Sequence, residues 1–174
     1  MATRRRNLVV GWICVLALLL ATAVSGVVET STVERRPFKV YGDATLIIDW
    51  SSARMEPAYG GRLCVPWTMT SKRFCTEGWF EDVGEGKLYI DTMTMEGSGT
   101  CTESNGNQLT WESTEEYGSQ HVEVAITEGI GAFAGVTGHY RYDYTVINTE
   151  LDDQGNPTKL EYSFWGKGAL IIRD

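Results

Sequence analysis

Beyond residue 37, hydrophobic and polar side chains alternate with a period of two along most of the chain. This alternation predicts β-strands that each bury one face. Stretches rich in glycine, asparagine and aspartate separate the strands and are typical of turns, such as Asn105-Gly106-Asn107 and residues 152–157. No window has the period of an amphipathic helix. About eight or nine short strands at near-regular spacing predict an all-β fold, an antiparallel barrel or sandwich.

The strands are expected at residues 38–50, 62–69, 73–80, 87–95, 99–104, 108–113, 120–127, 139–147 and 159–165, the last continuing to 169–172. Two glycine-rich segments, residues 83–86 and 96–99, are predicted to be turns between strands. Residues 69–72 are predicted to form the turn of a hairpin.

The alternation also indicates which face of each strand is apolar. In strand 139–147 the even positions carry three tyrosines, whereas the odd positions carry His139, Arg141 and Asp143. Strands 120–127 and 159–165 alternate in the same way. Because a closed sheet points its apolar faces inward together, we expect a lumen with an aromatic and aliphatic wall. The candidate ligand-lining residues are Trp50, Val124, Tyr140, Tyr142, Tyr144, Tyr162 and Phe164.

Residues 1–25 have the layout of a secretory signal peptide. Arg4, Arg5 and Arg6 precede an apolar run, and small residues follow it. The run is shorter than the about 20 apolar residues that a membrane span needs, so cleavage is expected and an uncleaved membrane anchor is the alternative. Residues 26–37 show no apolar period and are predicted to be a flexible tether, which leaves 38–174 as the barrel domain. The expected location is secreted or periplasmic.

Charge and cysteine content change with removal of the leader. The chain has 15 Lys+Arg against 23 Asp+Glu, a net charge of −8, and loss of the three leader arginines makes it −11. Such a charge repels phosphate backbones and argues against a nucleic-acid partner. Export into an oxidising compartment predicts one disulfide. The local pair Cys64 and Cys75 is preferred, with Cys101 free and buried, and a Cys75–Cys101 bridge is the alternative.

The segment from Thr127 to Gly138 is the most distinctive in the chain. Its glycines, Gly129, Gly131, Gly135 and Gly138, connect two predicted strands, and no helix follows them. A phosphate-binding loop needs glycines that open a helix, so no dinucleotide cofactor is expected. The glycines instead permit a wide connection in which Phe133 folds back as a hydrophobic plug over one end of the barrel.

The pattern Thr-x-Gly-x-Gly-x-Phe-x-Gly-x-x-Gly of this segment resembles the signature loop of the allene oxide cyclase and dirigent barrel superfamily. Segment Glu103–Leu109 is similar to the Asn-Gly turn of exported bacterial relatives, and Tyr162–Gly168 to the closing strand of plant allene oxide cyclases. The resemblance covers roughly residues 99–170. It implies an eight-stranded antiparallel barrel with a hydrophobic lumen, in a homodimer or homotrimer. In that superfamily the lumen steers cyclisation or coupling of a reactive molecule, but no catalytic residue of the family matches a position here.

Candidate chemistry outside this segment is sparse. Asp49 beside Trp50 would be a general acid if an apolar cavity raised its pKa, whereas an Asp49 that ends its strand at the surface is the preferred interpretation. His121 and His139 fall on faces assigned outward, and no ligand spacing surrounds them, so no metal site is expected.

Three functions remain at this stage. The first is an exported barrel that binds a small hydrophobic ligand in its lumen. The second is a cyclase-like or isomerase-like enzyme in which the shape of the lumen steers a reactive substrate. The third is a structural or interaction protein whose lumen is filled by its own aromatic side chains.

Overall fold

The structure is a computed structural model that describes residues 32–57, 60–75 and 78–173. These residues form strands β1 (Val33–Ile48), β2 (Arg54–Glu56), β3 (Arg62–Cys75), β4 (Gly78–Tyr89), β5 (Thr94–Glu103), β6 (Gln108–Glu116), β7 (His121–Ile130), β8 (Thr137–Leu151) and β9 (Pro157–Arg173). Short 3-10 turns lie at Trp50–Ser52 and Gly131–Phe133. Within the described ranges no helix is long and apolar enough to cross a membrane. The predicted signal peptide lies outside them.

The strands form one antiparallel sheet in the order β1-β9-β8-β7-β6-β5-β4-β3-β2. A further pairing of β1 with β3, from Val40 opposite Cys75 to Ile48 opposite Trp67, closes this sheet on itself. The short strand β2 pairs with the beginning of β3. The ring therefore has eight strands, and the predicted eight-stranded antiparallel barrel is confirmed.

The interior of the barrel holds the apolar half of each alternating strand. Tyr140 and Tyr142 of β8 are buried, as are Tyr162 and Phe164 of β9. Val122, Val124 and Ile126 of β7 are buried as well, whereas the odd positions between them face solvent. The inward and outward faces predicted for these three strands are confirmed. Because side chains alternate strictly along a strand, only one of its two faces can point inward, and here it is the face that carries the aromatic rings.

Two glycine pairs inside the barrel make room for indole rings. A side chain at Gly84 of β4 or Gly99 of β5 would overlap Trp111, and one at Gly86 or Gly97 would overlap Trp67. The prediction of turns at residues 83–86 and 96–99 is therefore wrong. These glycines lie in mid-strand, where the absence of a Cβ lets a large ring approach the backbone. The connection between β4 and β5 falls instead at residues 90–93.

The chain from Arg62 to Cys75 also differs from expectation. It is one continuous strand, β3, and the predicted hairpin turn at residues 69–72 does not form. Cys64 and Cys75 consequently lie 11 residues apart near opposite ends of the same strand, roughly 36 Å at the rise of an extended chain. The predicted Cys64–Cys75 disulfide is wrong, and Cys64, Cys75 and Cys101 are all free thiols.

The barrel begins earlier than the predicted tether allows. Strand β1 starts at Val33, which pairs with Arg173 of β9, and the ladder continues through Pro37 opposite Ala169. Residues 33–37 therefore belong to the barrel. They show no alternation because most of this strand end is exposed on both faces.

Candidate functional site

A cavity of about 250 Å³ occupies the end of the barrel that carries the loop between β7 and β8. Most of its wall is aliphatic or aromatic, as the alternation of the strands predicts. The wall consists of Arg36, Phe38, Arg73, Cys75, Phe80, Cys101, Leu109, Trp111, Ile126, Ala132, Phe133, Ala134, Val136, Tyr140, Leu170 and Ile172. We call this space the loop-end cavity.

The loop between β7 and β8 covers this cavity. Phe133 lies at its wall and contacts Phe80, with the ring centroids 5.8 Å apart. Gly131 and Gly135 have φ of 72° and 78°, a left-handed conformation that favours glycine. The Asn107 side chain accepts a hydrogen bond from the Ala132 backbone N–H at 2.9 Å. These features hold Phe133 over the barrel end, where the plug was predicted.

The other two glycines of the loop serve close packing. Gly129 lies in β7, and a side chain there would overlap the Phe133 carbonyl. Gly138 lies in β8, where a Cβ would be 2.5 Å from the Ala169 carbonyl oxygen. Neither residue has a positive φ.

A buried ion pair lies beside the loop-end cavity. Arg73 of β3 and Asp82 of β4 are 2% and 1% exposed, and the Arg73 guanidinium donates from Nη2 to Asp82 Oδ2. Ser71 Oγ donates to the same oxygen at 3.1 Å. Trp111 Nε1 donates to Asp82 Oδ1 at 2.7 Å, and the Cys101 thiol lies 3.5 Å from that oxygen. Asp82 is thus saturated with donors, as a buried carboxylate requires.

Arg73 connects this pair to the cavity. Its Nη1 donates to the hydroxyl of Tyr140, and its guanidinium carbon lies 5.5 Å from the Phe164 ring centroid. Its Nε is buried and has no hydrogen-bond partner among the described residues. Arg73 and Tyr140 line the cavity, whereas Asp82 stands behind Arg73. The apolar wall therefore holds two cationic side chains, the buried Arg73 and the exposed Arg36, which pairs with Glu34 at 3.3 Å.

The thiols and the phenol at this end are protonated at neutral pH. Burial raises the pKa of Cys75 and of Cys101 to about 11, although the nearby Arg73 acts in the opposite direction. Burial also raises the pKa of Tyr140. Neither cysteine is a thiolate nucleophile in this setting.

The opposite end of the lumen is almost filled. A space of only about 30 Å³ remains there, and its wall includes Trp67, Tyr142, Tyr144 and Tyr162. Glu115 of β6 points into it and accepts a hydrogen bond from the Tyr144 hydroxyl at 2.6 Å. Burial raises the pKa of Glu115 to about 7, even though this hydrogen bond acts to lower it. We call this region the filled end.

The predicted ligand-lining residues are divided between these regions. Tyr140 lines the loop-end cavity, whereas Tyr142, Tyr144 and Tyr162 line the small space at the filled end. Val124 and Phe164 are buried in the hydrophobic core and line neither space. Trp50 lies in a 3-10 turn, where its Nε1 donates to the Pro157 carbonyl at 2.7 Å.

Asp49 has no catalytic environment. It is exposed and caps the 3-10 turn at Trp50–Ser52, accepting hydrogen bonds from the Ser51 and Ser52 hydroxyls at 2.6 Å each. These hydrogen bonds lower its pKa instead of raising it. The general-acid hypothesis for Asp49 is wrong, and the alternative of a strand-ending surface residue is correct.

Arg73 and Asp82 form the polar part of the site, and neither was predicted from the sequence. In a continuous β3, Arg73 shares the inward parity of Trp67 and Met69, and Asp82 shares that of Phe80 in β4. A charged residue at an inward position is the signal that would have found them. The turns predicted at residues 69–72 and 83–86 broke the alternation of inward and outward positions along both strands, so neither charge was recognised as facing inward.

The two histidines lie on the outer surface, as predicted. His121 and His139 are exposed, and His121 Nδ1 lies 2.5 Å from Asp143 Oδ1. Within the described part of the chain, no three His, Cys, Asp or Glu side chains are grouped to hold a metal ion.

Comparison with known proteins gives solved structures of similar fold, two of which are described here. No protein-family model and no curated protein sequence matches the chain. The pterocarpan synthase dirigent protein GePTS1 has 16% identity and a TM-score of 0.46, and covers 80% of this chain and 89% of its own. The pterocarpan synthase dirigent protein PsPTS1 has 17% identity and a TM-score of 0.45, and covers 78% and 94%. Both of these solved structures are of dirigent proteins.

Proposed function

We propose that the loop-end cavity binds a small, largely apolar molecule that carries one hydrogen-bond acceptor. The observation that carries this proposal is that Arg73 lines an apolar cavity while its Nε is a buried donor without a hydrogen-bond partner among the described residues. A buried donor left unpaired costs about 1–3 kcal/mol. A ligand acceptor placed on Arg73 would recover part of this free energy.

The charge of the site favours a neutral ligand. Asp82 already balances the charge of Arg73 through a direct ion pair. A ligand carboxylate would bring a second negative charge next to Asp82 inside the barrel, where charges are poorly screened. A carbonyl, ether or phenol oxygen offers the acceptor without that charge.

The size of the cavity favours a compact ligand. Its volume of about 250 Å³ lies just below the roughly 300 Å³ at which drug-sized ligand pockets begin. One or two fused rings match this space, or one end of a longer molecule that extends out of the cavity. An open space of this size also argues against a barrel filled solely by its own side chains.

A cyclase-like or isomerase-like activity is the second candidate. The Tyr140 hydroxyl and the Arg73 guanidinium lie together at the cavity wall and would stabilise negative charge that develops on a ligand oxygen. No carboxyl group lines the loop-end cavity among the described residues, so such an enzyme would steer its substrate by shape and not by carboxylic acid catalysis.

The experiment compares two ligands of equal shape, 2-acetylnaphthalene and 2-isopropenylnaphthalene, by calorimetric titration. We expect the ketone to bind about tenfold more tightly, the value of one hydrogen bond to a charged donor. Phe133→Trp should abolish binding of both, whereas the control Val83→Trp, on the outer surface, should not. Equal affinity for the pair, or binding insensitive to Phe133→Trp, would overturn the proposal. Mass spectrometry of recovered ligand distinguishes binding from turnover.

A further inference from the structure

Trp111 of β6 separates the loop-end cavity from the small space at the filled end. Its side chain is buried, with 3% of its surface exposed. Among the described residues that line these two spaces, Trp111 is the one that lines both. The indole ring therefore forms the wall between them. A substitution at Trp111 changes both spaces, whereas a substitution at any other lining residue changes one.

Three contacts hold the Trp111 ring in place. A side chain at Gly84 or at Gly99 would overlap the ring, so it lies directly against the backbones of β4 and β5. Trp111 Nε1 donates to Asp82 Oδ1 at 2.7 Å, and a hydrogen bond to a carboxylate is stronger than one to a neutral acceptor. A ring held by close packing and by a charged acceptor is a rigid wall.

The loop-end cavity extends from a solvent-exposed side to this wall. Arg36, Ala132 and Ala134 line the cavity and are exposed, whereas Arg73 and Trp111 line it and are buried. The guanidinium carbon of Arg73 lies 5.9 Å from the centroid of the Trp111 ring. Arg73 and Trp111 are therefore neighbours at the inner end of the cavity.

We propose that Trp111 is the floor of the loop-end cavity and restricts its ligands to molecules whose hydrogen-bond acceptor lies at one end. This inference rests on the proposed function, in which the ligand acceptor binds Arg73. An acceptor bound there lies beside the indole ring, so a long group beyond the acceptor would have to displace Trp111. Overpacking of a packed interior is unfavourable. The remainder of the ligand extends the other way, toward the exposed side.

A limit on total ligand size would give a different rule. A cavity of about 250 Å³ that selected by volume alone would exclude added atoms equally at both ends of a ligand. Trp111 instead predicts a directional limit, because its ring closes only the inner end. Two isomers of equal composition, with the added atoms at opposite ends, distinguish these rules.

The experiment compares two isomeric ketones, 2-acetyl-6-propylnaphthalene and 1-(2-naphthyl)pentan-1-one, by calorimetric titration of the parent protein. The first carries its alkyl chain on the ring far from the carbonyl, and the second carries it directly beyond the carbonyl. We expect the pentanone to bind at least about tenfold more weakly than its isomer.

Three outcomes of this comparison would overturn the inference. Equal affinity of the isomers, or tighter binding of the pentanone, would do so while the proposed function stands. Loss of both isomers with retained binding of 2-acetylnaphthalene would show a limit on total size. Absence of binding by all three ketones would overturn the proposed function, and this inference with it.

Variants at the two indole rings locate the limit. Trp111→Leu joins the two spaces, so the affinity ratio of the isomers should fall from about tenfold to less than about threefold. Trp67→Leu removes a ring that lines only the filled end and should keep the parent ratio. Ser71→Ala removes another donor to Asp82 without changing the indole and should keep the ratio as well.

The variants also contradict the assignment if the pattern differs. A parent ratio retained in Trp111→Leu would do so, and so would an equal fall of the ratio in either control. The isomer ratio of the parent protein decides the inference even if Trp111→Leu fails to fold.

Discussion

The two ends of the barrel lumen share an aromatic wall but differ in space and in charge. The loop end retains about 250 Å³, whereas the filled end retains about 30 Å³. The loop end buries a complete ion pair, Arg73 with Asp82, whereas the filled end holds a half-buried carboxyl, Glu115, that accepts a hydrogen bond from Tyr144. The comparison shows how one fold treats buried charge in two ways. A charged group with an ionic partner stays ionised and can donate a hydrogen bond to a ligand. A carboxyl without an ionic partner takes up a proton near neutral pH.

The interior glycines explain why one end is filled. At the filled end the ring of Trp67 packs over Gly86 and Gly97 and occupies space that side chains on those strands would take. At the loop end, Phe133 covers the lumen from outside the sheet and leaves the volume beneath it open. Trp111, which packs over Gly84 and Gly99, lines both spaces, so the two ends differ in Trp67 at the filled end and Phe133 at the loop end.

The largest expected effect is on the buried ion pair. Arg73→Met leaves Asp82 charged and buried, so we expect the free energy of unfolding to fall by about 3–5 kcal/mol. Denaturant unfolding followed by tryptophan fluorescence measures it. The control Lys72→Met, at an exposed neighbour on the same strand, should change stability by less than about 1 kcal/mol. A loss for Arg73→Met no larger than that of the control would show that the two ends do not differ in this way.

The pH dependence of stability tests the filled end. Glu115 has a folded pKa of about 7 against an ordinary value of 4.5, so its contribution is fully present below pH 4.5 and is lost as pH rises through 7. The loss is roughly 3 kcal/mol at most, from about 1.4 kcal/mol for each pH unit. Glu115→Gln should remove this dependence and make the protein more stable than the parent above pH 7. Glu112→Gln, exposed on the same strand, should leave the slope unchanged, and an unaltered slope in Glu115→Gln would contradict the interpretation.

A smaller effect is expected from the packing that fills this end. Gly97→Ala places a methyl group against the Trp67 ring, and overpacking of this kind costs about 1–3 kcal/mol. Ser98→Ala, the next residue on β5, provides the matched control and should stay within about 0.5 kcal/mol. Thermal unfolding of the pair is sufficient. A Gly97→Ala protein as stable as Ser98→Ala would mean that the ring does not fill the lumen tightly.

The alternation predicted an antiparallel barrel or sandwich and the inward faces of three strands, and the resemblance of the glycine loop implied the eight-stranded barrel. Alternation in β7, β8 and β9 gave the correct inward faces, because each apolar side there is a run of large residues. The glycine loop lies over one end of the barrel, with Phe133 at the cavity wall. These features depend on local pattern, which a single sequence carries.

The polar site escaped sequence reasoning because it depends on long-range packing. The segments around Gly84 and Gly97 have a composition typical of turns. Only the packing of indole rings against these glycines explains why the strands continue through them. With turns predicted inside β3 and β4, the alternation no longer marked Arg73 and Asp82 as inward residues. The general-acid hypothesis for Asp49 depended on its sequence neighbour Trp50, although adjacent strand residues point in opposite directions.

The central claim is that Arg73 donates to a neutral oxygen of a ligand in the loop-end cavity. A crystal structure of the protein soaked with 2-acetylnaphthalene tests it most directly. We expect the naphthalene rings beneath Phe133 and the ketone oxygen within about 3 Å of Arg73 Nε, with the Arg73–Asp82 pair intact. A ketone bound elsewhere, or bound in the cavity with its oxygen turned away from Arg73, would contradict the claim.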